Sequence, residues 1–328
     1  KRKEILPNPD CHPADVTFKH KSANLESSSQ TGAQGGSVAK ALLSDGSFHV
    51  RAVTRNPRKR AARELARLGA EVVKADLERP ESLRVALGGA SAIFLVTDYW
   101  ELGDKEREVA QGKTVGDLAK KLGVRHVVFS GLEDVSRLTG GRLQVSHFDG
   151  KGEVERHLRH IGLPATCLRM ASYFENFIEH FRPQPEGGGR GGYRLGECEI
   201  PMADIPMDGM SVEDLGPVVV TILKNRSEYV GKDIGLSAER LTVQQYAEVL
   251  SRQLNRSVRA AEVGTQLSGL VPMLPSLRCF ACQSCFFCQL FCCFFPRSPQ
   301  KNMKSWHFRV PRIWPTCSAS TGRGRSAT

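Results

Sequence analysis

The feature that most constrains the fold is a regular alternation of short apolar runs and helical stretches between residues 31 and 262. The apolar runs lie at residues 49–54, 71–75, 92–97, 124–130 and 165–169. The helical stretches lie at residues 37–44, 58–68, 81–87, 106–122 and 152–160. Strands as apolar as AIFLVT are buried on both faces, and each helical stretch is long enough for a crossover. The sequence therefore predicts an α/β fold, a doubly wound parallel sheet with right-handed crossovers.

A glycine motif, TGAQGG at residues 31–36, comes directly before the first helical stretch. A glycine turn at a helix N-terminus lets backbone N–H groups and the positive end of the helix dipole approach a pyrophosphate. Because a glycine-rich turn before any helix looks similar, the motif alone is a weak indication of a nucleotide site.

The residues after the next two apolar runs strengthen this interpretation. Arg55 stands 19 residues after Gly36, where an NAD site places Asp or Glu, and an Arg there accommodates a 2′-phosphate. Basic residues at the following helix start oppose the helix dipole, which favours a bound anion, although a solvated basic surface gives the same pattern. Asp76 and Leu77 end the next run, where contact with the adenine edge is expected. The combination favours NADP.

Six segments, TGAQGGSVA, VTRNPRK, GAEVV, HFDGKGEVE, YFEN and PMDGMSVEDLGPVV, together resemble the NmrA-like family of atypical short-chain dehydrogenases, from residue 31 to about residue 261. The resemblance implies a Rossmann-like domain with a small second subdomain and NADP(H) as the cofactor. With the adenine-edge pair above, it implies cofactor contacts at Thr31, Gly32, Gln34, Arg55, Asn56, Lys59, Asp76, Leu77, Thr97, Asp98, Tyr99, Lys151, Tyr173, Phe174, Glu175 and Asn176.

The same resemblance implies a redox sensor that regulates other proteins, including in transcription. Its expected partners are regulatory proteins or metabolic enzymes, with a homodimer as its own assembly. The expected location is the cytoplasm, with the nucleus as a second compartment, and the sparse cysteines before residue 263 suit a reducing cytosol.

Catalysis is the weaker interpretation of the same segments. Short-chain dehydrogenases move the substrate proton with a Tyr that lies four residues before a Lys, and here Lys151 is preceded by His147 at that spacing. A histidine can shuttle protons, but a packing or hydrogen-bonding role for His147 is favoured. Ser130 occupies the place of the family's usual serine, but serines at strand ends are common. We therefore expect no catalytic residue, and a binding protein that reports the NADPH/NADP⁺ ratio. An NADPH-dependent reductase and a non-functional or interaction-only variant with impaired nucleotide binding remain alternatives.

The two ends of the chain depart from the family pattern, and this departure is the reason for the alternative of a non-functional or interaction-only variant. Residues 25–30, LESSSQ, are polar where the family has a hydrophobic strand ending in glycines. The central strand is therefore expected to be missing, which would leave its neighbours' ladder hydrogen bonds unpaired. Beyond about residue 261 the family's closing helices are replaced by unrelated sequence. Both ends look foreign to the middle, as in an unusual transcript, a pseudogene or a faulty gene model.

Three parts are therefore predicted. Residues 1–30 form an irregular segment, and residues 263–328 form an irregular tail rich in Cys, Phe and Arg. Residues 31–262 form the NADP-binding domain, with the Rossmann part at about 31–170 and a smaller α/β subdomain on the substrate side at about 171–262. In the subdomain, helices are expected at 212–224 and 243–254.

The tail also accounts for most of the net charge of +11. After Glu262 there are eight Lys and Arg residues and no acid, so the preceding residues carry only +3. We therefore expect neither a specific nucleic-acid partner nor a membrane partner.

The run Cys-x2-Cys-x2-Cys-x3-Cys from Cys282 in this tail matches an iron–sulfur pattern, and its CxxC pairs also fit zinc. Phenylalanines fill the spacers and Cys293, not Pro, follows the last cysteine, so no metal site is expected. The uncharged segment that contains this run, residues 279–295, is 17 residues long, which is the short limit for a membrane span.

Overall fold

The computed structural model describes residues 14–19, 30–178, 181–186, 192–195 and 205–261. Within these ranges the strands are β1 (Ala14–Lys19), β2 (Phe48–Thr54), β3 (Glu71–Lys74), β4 (Ala92–Leu95), β5 (His126–Gly131), β6 (Ala165–Met170), β7 (Ser172–Tyr173), β8 (Gln184–Pro185), β9 (Tyr193–Leu195), β10 (Met207–Met210), β11 (Asp233–Leu236), β12 (Glu239–Leu241) and β13 (Val258–Ala260). The helices are α1 (Gln30–Asp45), α2 (Arg60–Arg67), α3 (Pro80–Leu87), α4 (Tyr99–Leu102), α5 (Lys105–Lys121), α6 (Val135–Leu138), α7 (Ser146–His160), α8 (Leu215–Lys224), α9 (Arg226–Tyr229) and α10 (Val243–Leu254).

Seven strands form one parallel sheet in the order β11-β6-β5-β4-β1-β2-β3. The chain builds outward from β1 to β3 and then crosses to the other side of β1 for β4, β5, β6 and β11. The strand order therefore reverses between β1 and β4. In open α/β sheets this reversal opens a crevice at the carboxyl ends of the strands, where ligands bind. The predicted parallel α/β fold is confirmed.

Helices cover both faces of this sheet, so it is doubly wound as predicted. On one face α1, α2 and α8 pack against it through residues such as Leu42, Leu65 and Leu215. On the other face α3, α5 and α7 pack through residues such as Leu83 and Leu158. Two apolar cores, one on each face, account for the nearly continuous apolar sequence of β4 and β5.

The central strand, expected to be missing, is present in the structure. β1 pairs with β2 along all six of its residues and with β4 at Val16, Thr17 and Phe18. The expectation was wrong because the strand ends at Lys19, with residues 20–29 between it and the start of α1 at residue 30, and does not lie in the polar stretch directly before the helix. Its sequence ADVTFK alternates polar and apolar residues instead of forming the all-apolar run of its neighbours. The ladder bonds of β2 and β4 are therefore paired.

The start of α1 is a second correction. The sequence predicts a glycine turn over residues 31–36 with a helix from residue 37, whereas α1 begins at Gln30 and includes the whole motif. Because residues 20–29 separate β1 from α1, the glycines are not needed to turn the chain directly from strand to helix. They lie in the first two turns of α1, where the first four N–H groups of a helix have no partner within it.

The remaining predicted elements match the observed strands and helices to within a few residues. The exceptions are α7, which begins six residues earlier than expected, and the stretch 212–224, which is a 3₁₀ turn at Val212–Asp214 followed by α8.

A third core lies in the region after β6. Two three-stranded sheets, β12-β10-β7 and β13-β9-β8, pack around residues such as Leu195, Met207 and Tyr246, the last on α10. These small sheets and α10 lie in the range 171–262 that the sequence assigns to a smaller subdomain, whereas α8 and β11 of the same range belong to the seven-stranded sheet and its core. Residues 1–13 and 262–328, with the predicted irregular tail and its cysteine cluster, lie outside the described residues. In the described part of the chain, no helix combines the length and apolarity needed to cross a bilayer.

Candidate nucleotide-binding site

Most of the predicted cofactor residues lie at one edge of the parallel sheet. Arg55 follows β2, Asp76 follows β3 and Thr97 follows β4. Because these strands are parallel, their carboxyl ends meet at the same edge, the edge with the crevice between β1 and β4. The structure thus brings together segments that are far apart in the sequence, as the nucleotide hypothesis requires.

Lys151 is held at this edge by a buried ion pair with Glu108. The Lys151 ammonium donates to the Glu108 carboxylate, to the Thr97 carbonyl oxygen at 3.1 Å and to Thr97 Oγ1 at 3.3 Å. Thr97 Oγ1 in turn donates to Glu108 Oε1 at 2.8 Å. The Glu108 side chain is fully buried, and its Oε2 has no hydrogen-bond partner in the described part of the chain. All three protons of Lys151 are therefore directed at the end of β4 and at α5.

Glu108 is a site residue that the sequence analysis missed. It lies on the buried face of α5 with Gly112, Val115 and Ala119. A carboxylate on that apolar face is a signal in the sequence, because a buried charge requires a partner of opposite sign. Only the fold shows that the partner is Lys151 on α7.

His147 is enclosed by aromatic rings. Its ring centroid lies 4.8 Å from that of Trp100, 4.8 Å from that of Phe148 and 5.7 Å from that of Tyr99. Burial, together with the nearby Lys151 charge, lowers the pKa of His147 to about 4. The imidazole is therefore neutral at pH 7 and packs as an aromatic ring, as the favoured interpretation of the sequence has it.

Arg55 forms an ion pair with Glu101 of α4. Its neighbour Asn56 stabilises the turn that follows β2, with its amide oxygen accepting from Arg58 N at 3.0 Å. Lys59 occupies the N-cap of α2 and makes no capping hydrogen bond with its side chain. The basic segment predicted from the sequence therefore lies at the carboxyl edge of the sheet, beside the N-terminus of α2, whose N-cap residue makes no side-chain capping hydrogen bond.

Gln34 and Tyr173 contact each other under the first turns of α1. The Gln34 side chain hydrogen-bonds the Tyr173 hydroxyl, while Gln34 Oε1 is buried without a partner. Burial strongly raises the pKa of Tyr173, with the Glu175 charge adding to the effect. Tyr173 is therefore a poor proton donor and serves as a wall of the site.

The predicted residues after Tyr173 make contacts within the second region. The Glu175 carboxylate accepts from Ser211 Oγ at 2.6 Å and from Val212 N at 3.1 Å, so it holds the 3₁₀ turn before α8. The Phe174 ring packs edge-on against Tyr246 at 6.3 Å. The Asn176 carbonyl accepts from Phe181 N at 2.7 Å. In this structure all three residues join segments that follow β6.

The other predicted residues lie along the same edge. Thr31 and Gly32 lie in the first turn of α1. The Asp98 carboxylate caps α4, accepting from Trp100 N at 3.0 Å. Asp76 closes a turn by accepting from Glu78 N at 3.1 Å, and Leu77 packs into the core below it.

One further cluster of possible metal ligands lies away from this edge. Ligand atoms of Glu155, Cys167 and Asp233 lie within 4.8 Å of one another. Arg159 pairs with both carboxylates and Arg169 pairs with Glu155. Burial raises the pKa of Cys167 to about 12, so the thiol keeps its proton. This cluster is an ion-pair network.

Known proteins that resemble this chain in sequence or in fold include nucleotide-binding members of one family. A model of the NmrA-like family matches residues 29–277. An NmrA-like family domain-containing protein of Dictyostelium discoideum is 33% identical over 70% of this chain and 76% of its own length. An NmrA-like family domain-containing oxidoreductase, FrzB of Cladobotryum sp., is 34% identical over 62% of this chain but only 65% of its own length.

Among solved structures, the negative transcriptional regulator NmrA in complex with NADP is similar, with a TM-score of 0.65 and 28% identity over 77% of this chain and 75% of that chain. NmrA has also been solved with NAD, at the same similarity.

The buried Lys151–Glu108 pair predicts a large loss of stability when only one partner is removed. Lys151→Met leaves the Glu108 carboxylate buried without a counter-ion, which costs about 3–5 kcal/mol of unfolding free energy. Arg107→Met, which breaks the exposed pair between Arg107 of α5 and Glu78 before α3, is the matched control and is expected to change little. Glu108→Gln combined with Lys151→Met recovers most of the loss. Urea unfolding at pH 7 measures all three, and equal small losses for the two single variants would contradict the buried pair.

The neutral state of His147 predicts a pH dependence of stability. Its folded pKa of about 4 lies below the ordinary value of 6.5, so between these values the unfolded chain binds more protons. Unfolding free energy therefore falls as pH decreases from 6.5 to 4, by up to about 1.4 kcal/mol per pH unit for each such group. His126, whose pKa burial also lowers to about 4, adds a similar slope. His147→Phe is expected to reduce the slope and His160→Phe, at an exposed position of the same helix, to leave it unchanged. An unaltered slope in His147→Phe would contradict the assignment.

Proposed function

Since this chain belongs to the NmrA-like family, we propose that it is an NADP(H)-binding redox sensor and regulatory protein that works without oxidoreductase turnover. It distinguishes the oxidised from the reduced nucleotide through the conformation or assembly state that each favours, since a ligand shifts an equilibrium only by its differential affinity. Its proposed partners are regulatory proteins or metabolic enzymes, its assembly is a homodimer, and its role includes transcription regulation. Its proposed location is the cytoplasm, with the nucleus as a second compartment.

The residues at the crevice suit a dinucleotide. Gln34 Oε1 is a buried acceptor without a hydrogen-bond partner among the described residues, and a ribose hydroxyl or a carboxamide N–H group is a donor that would satisfy it. The first N–H groups of α1, which have no partner within the helix, suit the phosphates. Arg55 at the end of β2 suits a 2′-phosphate better than a ribose hydroxyl, which supports NADP(H) over NAD(H). When bound, the nicotinamide supplies or accepts a hydride. The chain's own residues bind and orient it.

The proposal that the chain works without turnover rests on the ion pair that Lys151 forms with the buried Glu108. In a Tyr/Lys pair the lysine favours the ionised tyrosine, but here its charge is balanced by the buried Glu108 carboxylate. The residue at the tyrosine position is His147, buried and neutral among three rings. Tyr173 holds its proton strongly because it is buried. Neither His147 nor Tyr173 therefore offers a proton donor or acceptor of matched pKa.

A reductase is the second candidate, favoured by the relatives that are named oxidoreductases. His147 and Lys151, or a pocket tyrosine, would then supply the proton. Steady oxidation of NADPH by the purified chain with a panel of quinones and aldehydes would establish this candidate and refute a sensor without turnover. We expect no steady oxidation above the rate of a matched sample without protein.

The role of Arg55 gives the direct test of nucleotide choice. Arg55→Asp places a carboxylate where the 2′-phosphate is expected, so NADPH affinity should fall at least tenfold while NADH affinity changes little. Arg63→Asp, an exposed position on α2 with the same change in charge, is the control for long-range electrostatics. Titration calorimetry of the two variants with both nucleotides measures the effect. An equal loss for NADPH and NADH would show that Arg55 does not read the 2′-phosphate.

A further inference from the structure

The ion pair between Arg55 and Glu101 links the two strands that flank β1. Arg55 follows β2 and Glu101 lies on α4 after β4, so the pair spans the crevice from one side of the strand-order reversal to the other. Both side chains are partly exposed, 32% for Arg55 and 23% for Glu101, so the pair faces the open edge. A guanidinium that the proposed function assigns to the nucleotide is thus already bound to an acid of the protein.

We propose that Glu101 sets the nucleotide selectivity of this chain by competing with the 2′-phosphate for Arg55. This inference rests on the proposed function, because it requires a 2′-phosphorylated nucleotide at this edge. The planar guanidinium presents its N–H groups in a fixed fork that binds a carboxylate or a phosphate with both arms. A bound 2′-phosphate therefore displaces the Glu101 carboxylate, which otherwise stands as a like charge beside it.

The energetics favour displacement. A partly exposed ion pair contributes little to stability, typically less than about 1 kcal/mol, so it is broken at small cost. The 2′-phosphate carries more negative charge than a carboxylate and has more acceptor oxygens, so it forms the stronger interaction with the guanidinium. An NADH molecule has no 2′-phosphate and leaves the Arg55–Glu101 pair intact. Glu101 therefore lowers the affinity for NADPH specifically and leaves the affinity for NADH unchanged.

Displacement of Glu101 also acts on the residues around His147. α4 is a single turn, fixed at its start by Asp98 and ended by Gly103 with a φ of 63°. Trp100 directly precedes Glu101, and its ring lies 4.8 Å from that of His147. A movement of Glu101 away from Arg55 therefore changes the surroundings of Trp100. The 2′-phosphate at one end of the crevice is in this way coupled to the aromatic cluster beside Lys151.

The first test is the affinity of Glu101→Gln, which removes the charge and keeps the shape. We expect NADPH to bind about two- to fivefold more tightly than to the unaltered chain, with NADH unchanged. Glu106→Gln, an exposed position on α5 with the same change in charge, is the matched control and should leave both affinities unaltered. Weaker NADPH binding in Glu101→Gln would mean that Glu101 orients Arg55 for the phosphate, and would overturn the proposal. Equal changes for both nucleotides would also overturn it.

The second test follows Trp100 fluorescence with two small probes. Adenosine 2′,5′-bisphosphate carries the 2′-phosphate and adenosine 5′-monophosphate does not, and neither absorbs tryptophan emission. We expect the bisphosphate alone to change the emission, the change to be lost in Trp100→Phe and to be reduced in Glu101→Gln. An unchanged emission with saturating bisphosphate would overturn the coupling.

The two proposals fail in different ways. If the unaltered chain binds NADPH no better than NADH and Arg55→Asp changes nothing, the proposed function and this inference are both refuted. If NADPH binding depends on Arg55 but Glu101→Gln behaves like the unaltered chain, only the role of Glu101 is refuted.

Discussion

The pairing of β1 between β2 and β4 is the constraint on which the rest of the structure depends. A strand inside a parallel sheet must satisfy its backbone hydrogen bonds on both sides, since both faces are covered by helices and exclude water. Ala14–Lys19 meets this requirement for β2 and for β4. The same position fixes where the strand order reverses, and therefore where the crevice lies. Arg55, Thr97 and the first turn of α1 lie at the same edge of the sheet only because of this arrangement.

Burial of charge decides the chemistry at that crevice. Lys151 and Glu108 neutralise each other below the crevice edge, and His147 stays neutral because it is packed among rings. The ion pair between Arg55 and Glu101 places partly exposed charges at this edge of the sheet. On the proposed function, the chain discriminates an anion at the adenine end, and its buried side chains are poorly suited to proton transfer at the nicotinamide end. Both features favour a nucleotide-responsive binding protein over a reductase.

Apolar periodicity was sufficient to predict the parallel sheet and most of its helices, because each buried strand and each amphipathic helix carries its own local pattern. The glycine and arginine positions predicted a nucleotide site, and the structure places these residues at one edge of the sheet. Three features were out of reach. β1 has an alternating sequence and a long connection to α1, so nothing local marks it as central. Glu108 and Glu101 meet Lys151 and Arg55 only through tertiary contacts. The role of Glu175 as a cap for the turn at Val212 depends on a segment 36 residues away.

The most direct test of this account is a thermal melt of the full chain, alone and with NADPH or NADH. A paired central strand predicts one cooperative transition for the chain without nucleotide. NADPH at about 100 times its dissociation constant should add roughly 2.7 kcal/mol to the stability of the folded state, and NADH at the same concentration should add much less. A chain that melts without cooperativity, or whose transition neither nucleotide raises, would contradict both the central position of β1 and the nucleotide site that depends on it.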